Sequence, residues 1–159
     1  TGWYTLSLHD ALPILSLAAM EQTYRQRQVP LLVTVFANKN GTGEYGHQNN
    51  ICVSAAGQVM CYDKKRKTVG LNGVDIGYFL VNRSIVPRGV CENMSFEEDV
   101  LAPLIAQDRV SAYLTDEQYY YLTDQKSVER FEAVVRQGAI GPLPGEYFTA
   151  RTDREGRAR

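Results

Sequence analysis

An excess of charge of either sign is missing from this 159-residue chain: 17 Lys and Arg stand against 18 Asp and Glu, a formal net charge of -1. No broad positive field exists for a nucleic-acid groove or an anionic bilayer, so neither nucleic acid nor membrane is expected among its partners, which should be small or locally recognised. No run approaches the roughly 20 apolar residues needed to cross a bilayer. Cysteine is scarce: Cys52, Cys61 and Cys91 are odd in number, widely spaced and without a CxxC pair. That pattern excludes a disulfide framework and a thiolate metal cluster and fits a reducing, cytoplasmic compartment. Histidine is limited to His9 and His47, far apart in sequence, which excludes a His-rich metal site. The apolar stretch Ala11 to Met20 lacks the preceding Lys or Arg that opens a signal peptide, so secretion is not expected.

What is present alternates between helical and strand periods. Residues 1–14 have no clear period, resemble a translated sequencing adapter, and are expected to be a non-native leader without selected structure. From Leu15 to about Gln28 the segment is rich in helix formers and is closed by Pro30. Leu31 to Ala37 is a short apolar, β-branched run, a buried strand by pattern. Ile51 to Ala55 and Gln58 to Tyr62 read as a hairpin, and Val74 to Val81 as a strand in which Gly77 marks a bulge or a close approach. Ser95 opens a helix with Glu98 reaching back in an S-x-x-E capping box. Val110 to Leu114 and Gln118 to Leu122 read as strands, and Asp124 caps a last helix ending near Gly138. The resulting expectation is an α/β fold with a mixed sheet flanked by helices, a domain over residues 15–138, and an irregular tail over 139–159.

Gly41-Thr42-Gly43-Glu44-Tyr45-Gly46 spells G-x-G-x-x-G after a predicted strand, but the next periodic segment is another strand and not the helix that would aim its positive end at a pyrophosphate. A turn or substrate-edge loop is the simpler reading. More specific is the run Asp63, Lys64, Lys65, Arg66, Lys67. It serves equally as a solvated connection or as a strand end whose carboxylate and ammonium hold a ligand bearing hydroxyls and phosphate. Asp75 lies in an otherwise apolar strand, where a carboxylate is costly unless it is paired, ligand-bound or at an exposed strand start. Asn49 and Asn50, just before a strand, offer amide donors and acceptors to a ligand or to a turn. At least one of Tyr119, Tyr120 and Tyr121 is expected in the core.

Taken in order, LLVTVFANKN with Asn49-Asn50, GQVMCYDKK, VDIGYFLV, SFEEDVLAPLIAQ with RVSAYL, and YYLTDQKSVERFE resemble the C-terminal part of the sugar-phosphate nucleotidyltransferases, particularly members similar to mannose-1-phosphate or heptose-phosphate guanylyltransferases. The match runs from about Gln22 to Arg136. The resemblance implies a Rossmann-like mixed sheet, here an incomplete nucleotidyltransferase fold. It also implies a reaction in which a sugar 1-phosphate attacks the α-phosphorus of a nucleoside triphosphate with Mg²⁺. By the same resemblance Lys64 or Lys65 would hold the sugar phosphate. Asp63 and Asp75 would meet sugar hydroxyls or orient the lysine, and Asn50 and Gly77 would shape the acceptor pocket.

Two departures follow from the same match. The family's Gly-rich triphosphate loop and its first metal-binding Asp have no counterpart ahead of Leu31, and its late metal-binding Asp falls on Tyr121, whose phenol is a poor substitute toward Mg²⁺. The expectation is a fragment that joins no nucleotide to a sugar by itself and binds no metal tightly. The alternatives are a noncatalytic sugar-phosphate binding or regulatory module and a misassembled gene fragment without function of its own.

Overall fold

The computed structural model describes residues 3–7, 15–42, 46–86, 94–117 and 119–137. The chain divides into two units, Thr1–Tyr121 and Leu122–Arg159. In the first, β1 (Trp3–Ser7) precedes α1 (Leu17–Arg27), β2 (Leu31–Phe36), β3 (Ile51–Val53), β4 (Val59–Tyr62) and β5 (Val74–Asn82). A 3-10 turn (Arg83–Ile85), a π-helical turn (Phe96–Leu101) running into α2 (Ala102–Ile105), and β6 (Val110–Thr115) complete it. The second unit contains α3 (Gln125–Arg136), whose start is fixed by a reciprocal cap: Ser127 N–H donates to Asp124 Oδ1 at 2.7 Å and Asp124 N–H to Ser127 Oγ at 3.1 Å.

The four-stranded sheet has the order β1-β5-β2-β6, with β2 parallel to β6 and antiparallel to β5. It is a mixed sheet, as the changing period of the sequence implies. All six residues of β2 are buried, because both faces of a central strand are covered. Leu31, Val33 and Val35 pack with Ile51, Val53 and Val59 of the hairpin and with Val100, Leu101 and Leu104. Leu32 points the other way, to Met20 and Tyr24 of α1 and to Leu80. Side chains alternate along a strand, so α1 and the 96–105 helical segment flank opposite faces of the sheet. At the start of α1, Ser16 Oγ accepts from Ala19 N–H at 3.2 Å. Gln28 ends the helix at φ 54°, just ahead of Pro30.

Within the expected leader, residues 3–7 form an edge strand whose backbone pairs antiparallel with β5 from Trp3↔Asn82 to Ser7↔Tyr78, since an extended segment can satisfy an otherwise open edge. Two local expectations are corrected. From Tyr119 to Leu122 the described residues of the expected Gln118–Leu122 strand form no strand beyond an isolated bridge at Tyr121: Tyr119 and Tyr121 bury their rings with Phe36, Val74 and Ile76, Tyr119 lying edge-on to Phe36 at 5.1 Å. The cap at Ser95 also differs. Its Oγ accepts from Glu98 N–H, but the side chain that reaches back is Asp99, whose Oδ2 accepts from Ser95 N–H at 2.7 Å. The wider π turn moves the reciprocal partner one residue on. Cys91, Gly43 to Tyr45 and the 139–159 tail lie outside the described residues.

Candidate functional site

Asp75 enters β5 opposite Val35, one residue before the carboxyl end of β2, which runs parallel to β6. In open α/β sheets this edge, beyond the carboxyl ends of parallel strands, is where ligands gather. The chain reaches it through Gly73, where an added Cβ would lie 2.5 Å from Val35 Cγ1, so only glycine lets the two segments approach this closely. Two residues past Asp75, Gly77 adopts φ 84° where the β2–β5 register shifts between Val33 and Val35. That left-handed conformation suits glycine. A Cβ at Gly77 would meet nothing within 4 Å, so the space beside the bulge is open.

Asn50 ties the site together. It is 6% exposed, its Oδ1 accepts from Asp75 N–H at 2.8 Å, and its carbonyl accepts from Asp63 N–H at 2.8 Å. Asp63 organises the loop behind it: Oδ1 accepts from Lys65 N–H at 2.8 Å, and Oδ2 accepts from the amides of Lys67 and Thr68 and from the Thr68 hydroxyl. Those donors, the Thr68 hydroxyl foremost, hold the Asp63 carboxyl well below the usual carboxylate range. Lys64 projects from this loop with its Nζ 3.9 Å from Glu97 Oε1. Lys65 is exposed and joins the arrangement through its backbone amide. Asn49 has a structural part, accepting from Asn38 Nδ2 at 2.8 Å and donating to the Leu71 carbonyl at 3.1 Å.

The structure adds two residues to the sequence-based set. Glu97, on the π turn, is anchored by the Ser95 hydroxyl at 3.1 Å and faces Lys64. Tyr62 is half-buried at the end of β4; burial, then the charges of Asp75 and Glu97, push its hydroxyl well above the ordinary tyrosine value, while Arg66 opposes them. Burial likewise pushes the Asp75 carboxyl up to about 7; the Gly77 amide, which donates to Oδ1 at 2.9 Å, pulls it back and Glu97 adds to the rise. Sequence gave only a faint sign of Glu97, an acidic residue in a helix's first turn, and no sign that it would face the Asp63–Lys64 loop. One edge of the fold therefore carries an ammonium, two carboxylates, an amide-bound carboxylate loop and an open glycine bulge. That set can hold hydroxyls and a phosphoryl group together.

Among the described residues no three His, Cys, Asp or Glu side chains converge into a cluster that could hold a metal ion. Of the two carboxylates that interact, Glu97 has the Lys64 ammonium beside it. Tyr121, at the position where the resemblance puts a metal ligand, donates its hydroxyl to the Asp75 carbonyl at 3.2 Å. The G-x-G-x-x-G segment is followed by a turn at Gly46–His47 and then by β3, with no helix at its end.

The fold is a mixed α/β sheet that resembles a nucleotidyltransferase-like fold, at low sequence identity. HddC from Yersinia pseudotuberculosis is similar with a TM-score of 0.62 at 11% identity, covering 82% of this chain and 54% of HddC. Its complex with GMP-PN gives 0.58 at 12% identity over the same shares. A protein from Bacillus anthracis described as a candidate glucose-1-phosphate thymidylyltransferase, solved with sucrose, gives 0.62 at 8% identity, covering 84% of this chain and 55% of that one. The chain thus spans about half the length of these proteins. No protein-family model matches the sequence, and no curated protein matches it. Among the described residues no helix is long and apolar enough to cross a membrane.

Proposed function

We propose that this chain provides the acceptor side of a sugar-1-phosphate nucleotidyltransferase and binds a sugar 1-phosphate at the edge formed by Asn50, Asp63, Lys64, Asp75 and Gly77. The observation that carries the reading is the double hold of Asn50 on Asp63 and Asp75, which brings the lysine-bearing loop to the strand that holds the half-buried carboxylate and the open bulge. Lys64 supplies a mobile point charge for phosphoryl oxygens. Asp75, protonated or not, presents acceptor oxygen to hydroxyls, and Glu97 holds Lys64 near the edge when no phosphate is there. Lys65 is the second candidate for the phosphate. We place this work in the cytoplasm, with the nucleoside triphosphate and Mg²⁺ belonging to the intact transferase.

By the same reading the 159 residues alone transfer no nucleotide, since Tyr121 takes the place of a metal-binding carboxylate. Calorimetry with mannose 1-phosphate and heptose phosphates should show binding that Lys64→Ala abolishes and Lys65→Ala only weakens. A parallel assay of nucleotide-sugar formation with several triphosphates should stay blank. Turnover would restore the reading of a complete enzyme, and absence of binding to every sugar phosphate would end the acceptor-site reading. The alternative, a noncatalytic binding or regulatory module, shares the same pocket. It is favoured if a sugar phosphate binds with micromolar affinity and supplying a nucleotide-binding half in trans produces no transfer.

A further inference from the structure

Cys52 and Cys61 stand directly opposite each other in the β3–β4 ladder. Opposed residues of an antiparallel pair have Cα atoms about 4.5–5.5 Å apart, inside the roughly 4.4–6.8 Å that a disulfide spans. Ile51, Val53 and Val59 turn into the core, whereas both cysteines are half-exposed free thiols on the other face of the hairpin. Opposed side chains share a face of the ladder, and the two sulfurs are near enough for Cys52 to act on the Cys61 proton.

We propose that Cys52 and Cys61 form a dithiol modification site that exchanges with low-molecular-weight disulfides and closes to a cross-strand disulfide. In the first step the thiolate of one cysteine attacks a sulfur of the small disulfide, giving a mixed disulfide and expelling one small thiolate. In the second the opposed cysteine, having lost its proton, attacks the protein sulfur of that mixed disulfide and expels the other small thiolate. Two protein thiols are oxidised, one small disulfide is reduced to two thiols, and the two protons leave with them. Burial, then the neighbouring Cys52, raises the Cys61 thiol, so exchange runs faster at alkaline pH. The bond would tie together two strands that end beside Asn50 and Asp63. The inference rests on the hairpin register alone and stands whether or not a sugar phosphate binds.

No Lys or Arg lies between Asn40 and Asp63, so trypsin releases both cysteines on one peptide, residues 40–64. The full chain is treated with excess oxidised glutathione at alkaline pH, quenched with an alkylating agent, and digested without reductant. Peptide 40–64 should lack two hydrogens and resist alkylation until a reductant is added, in the wild type and in Cys91→Ser alike. Cys52→Ser and Cys61→Ser should each leave the remaining thiol as a glutathione adduct. Chain unfolded in urea should lose the preference for closure. Two adducts on peptide 40–64, two thiols still free to alkylate, or linkage to the Cys91 peptide would each overturn the proposal.

Discussion

Replacing Asp75 by Asn separates the cost of a buried charge from the worth of its hydrogen bond. The amide oxygen can still accept from Gly77 N–H, as Oδ1 does at 2.9 Å, but it cannot ionise. In the folded chain burial raises the carboxyl from 3.8 to about 7, so between those values the folded state binds more protons than the unfolded one. Stability therefore falls as pH rises through that window, opposite to the behaviour of a carboxylate stabilised by a salt bridge. At about 1.36 kcal/mol per unit, the full rise costs the wild type about 4 kcal/mol above pH 7. About 1.7 of this is already present at pH 5, leaving about 2.6 kcal/mol to appear between pH 5 and 8.5. Solvent reaching the half-buried carboxylate reduces this to about 1–2 kcal/mol. Urea unfolding of both proteins at the two pH values reads it: Asp75→Asn should gain on the wild type by that amount on going to pH 8.5. An advantage that is the same at both pH values would refute the claim that Asp75 is held in its acid form by burial.

Further outcomes follow from the local geometry. Gly77→Ala should lower stability by about 1–3 kcal/mol through backbone strain alone, since a Cβ there meets nothing within 4 Å; thermal unfolding measures it, and an unchanged midpoint would show that the left-handed bulge is absent. Asp99→Ala should cost about 1 kcal/mol as a lost cap while Glu98→Ala costs little, and denaturant titration of the pair would reverse that order if Glu98 were the reciprocal partner. Asp63→Ala should strip hydrogen-exchange protection from the amides of Lys65, Lys67 and Thr68, which its carboxylate holds. In the wild type that protection should persist to strongly acidic pH, because those donors keep Asp63 ionised, and be lost only as pH falls through its lowered value.

Period and punctuation in the sequence determined much of the fold. Leu31 to Phe36 reads as a doubly buried strand because it is apolar without alternation. Ser95 and Asp124 mark helix starts because a short polar side chain satisfies free amides. The Ala56-Gly57 turn declares the hairpin. Where one turn runs as a π helix the pattern misleads by a single residue, from Glu98 to Asp99, since capping depends on residues per turn and that is set by packing. That at least one of Tyr119, Tyr120 and Tyr121 lies in the core was legible, but not that the buried ones are 119 and 121 in an irregular segment, because an aromatic pair can be buried by ring packing without a strand ladder.

Only the tertiary structure decided which distant residues meet. Asn50, Asp63 and Asp75 are candidates one by one in the sequence, yet their union depends on one buried side chain accepting from a strand 25 residues away. Glu97 and Tyr62 enter the site, and Cys52 faces Cys61, for the same reason. Local propensity acts within a few residues, whereas charge, burial and cross-strand register act through space that the folded chain alone defines.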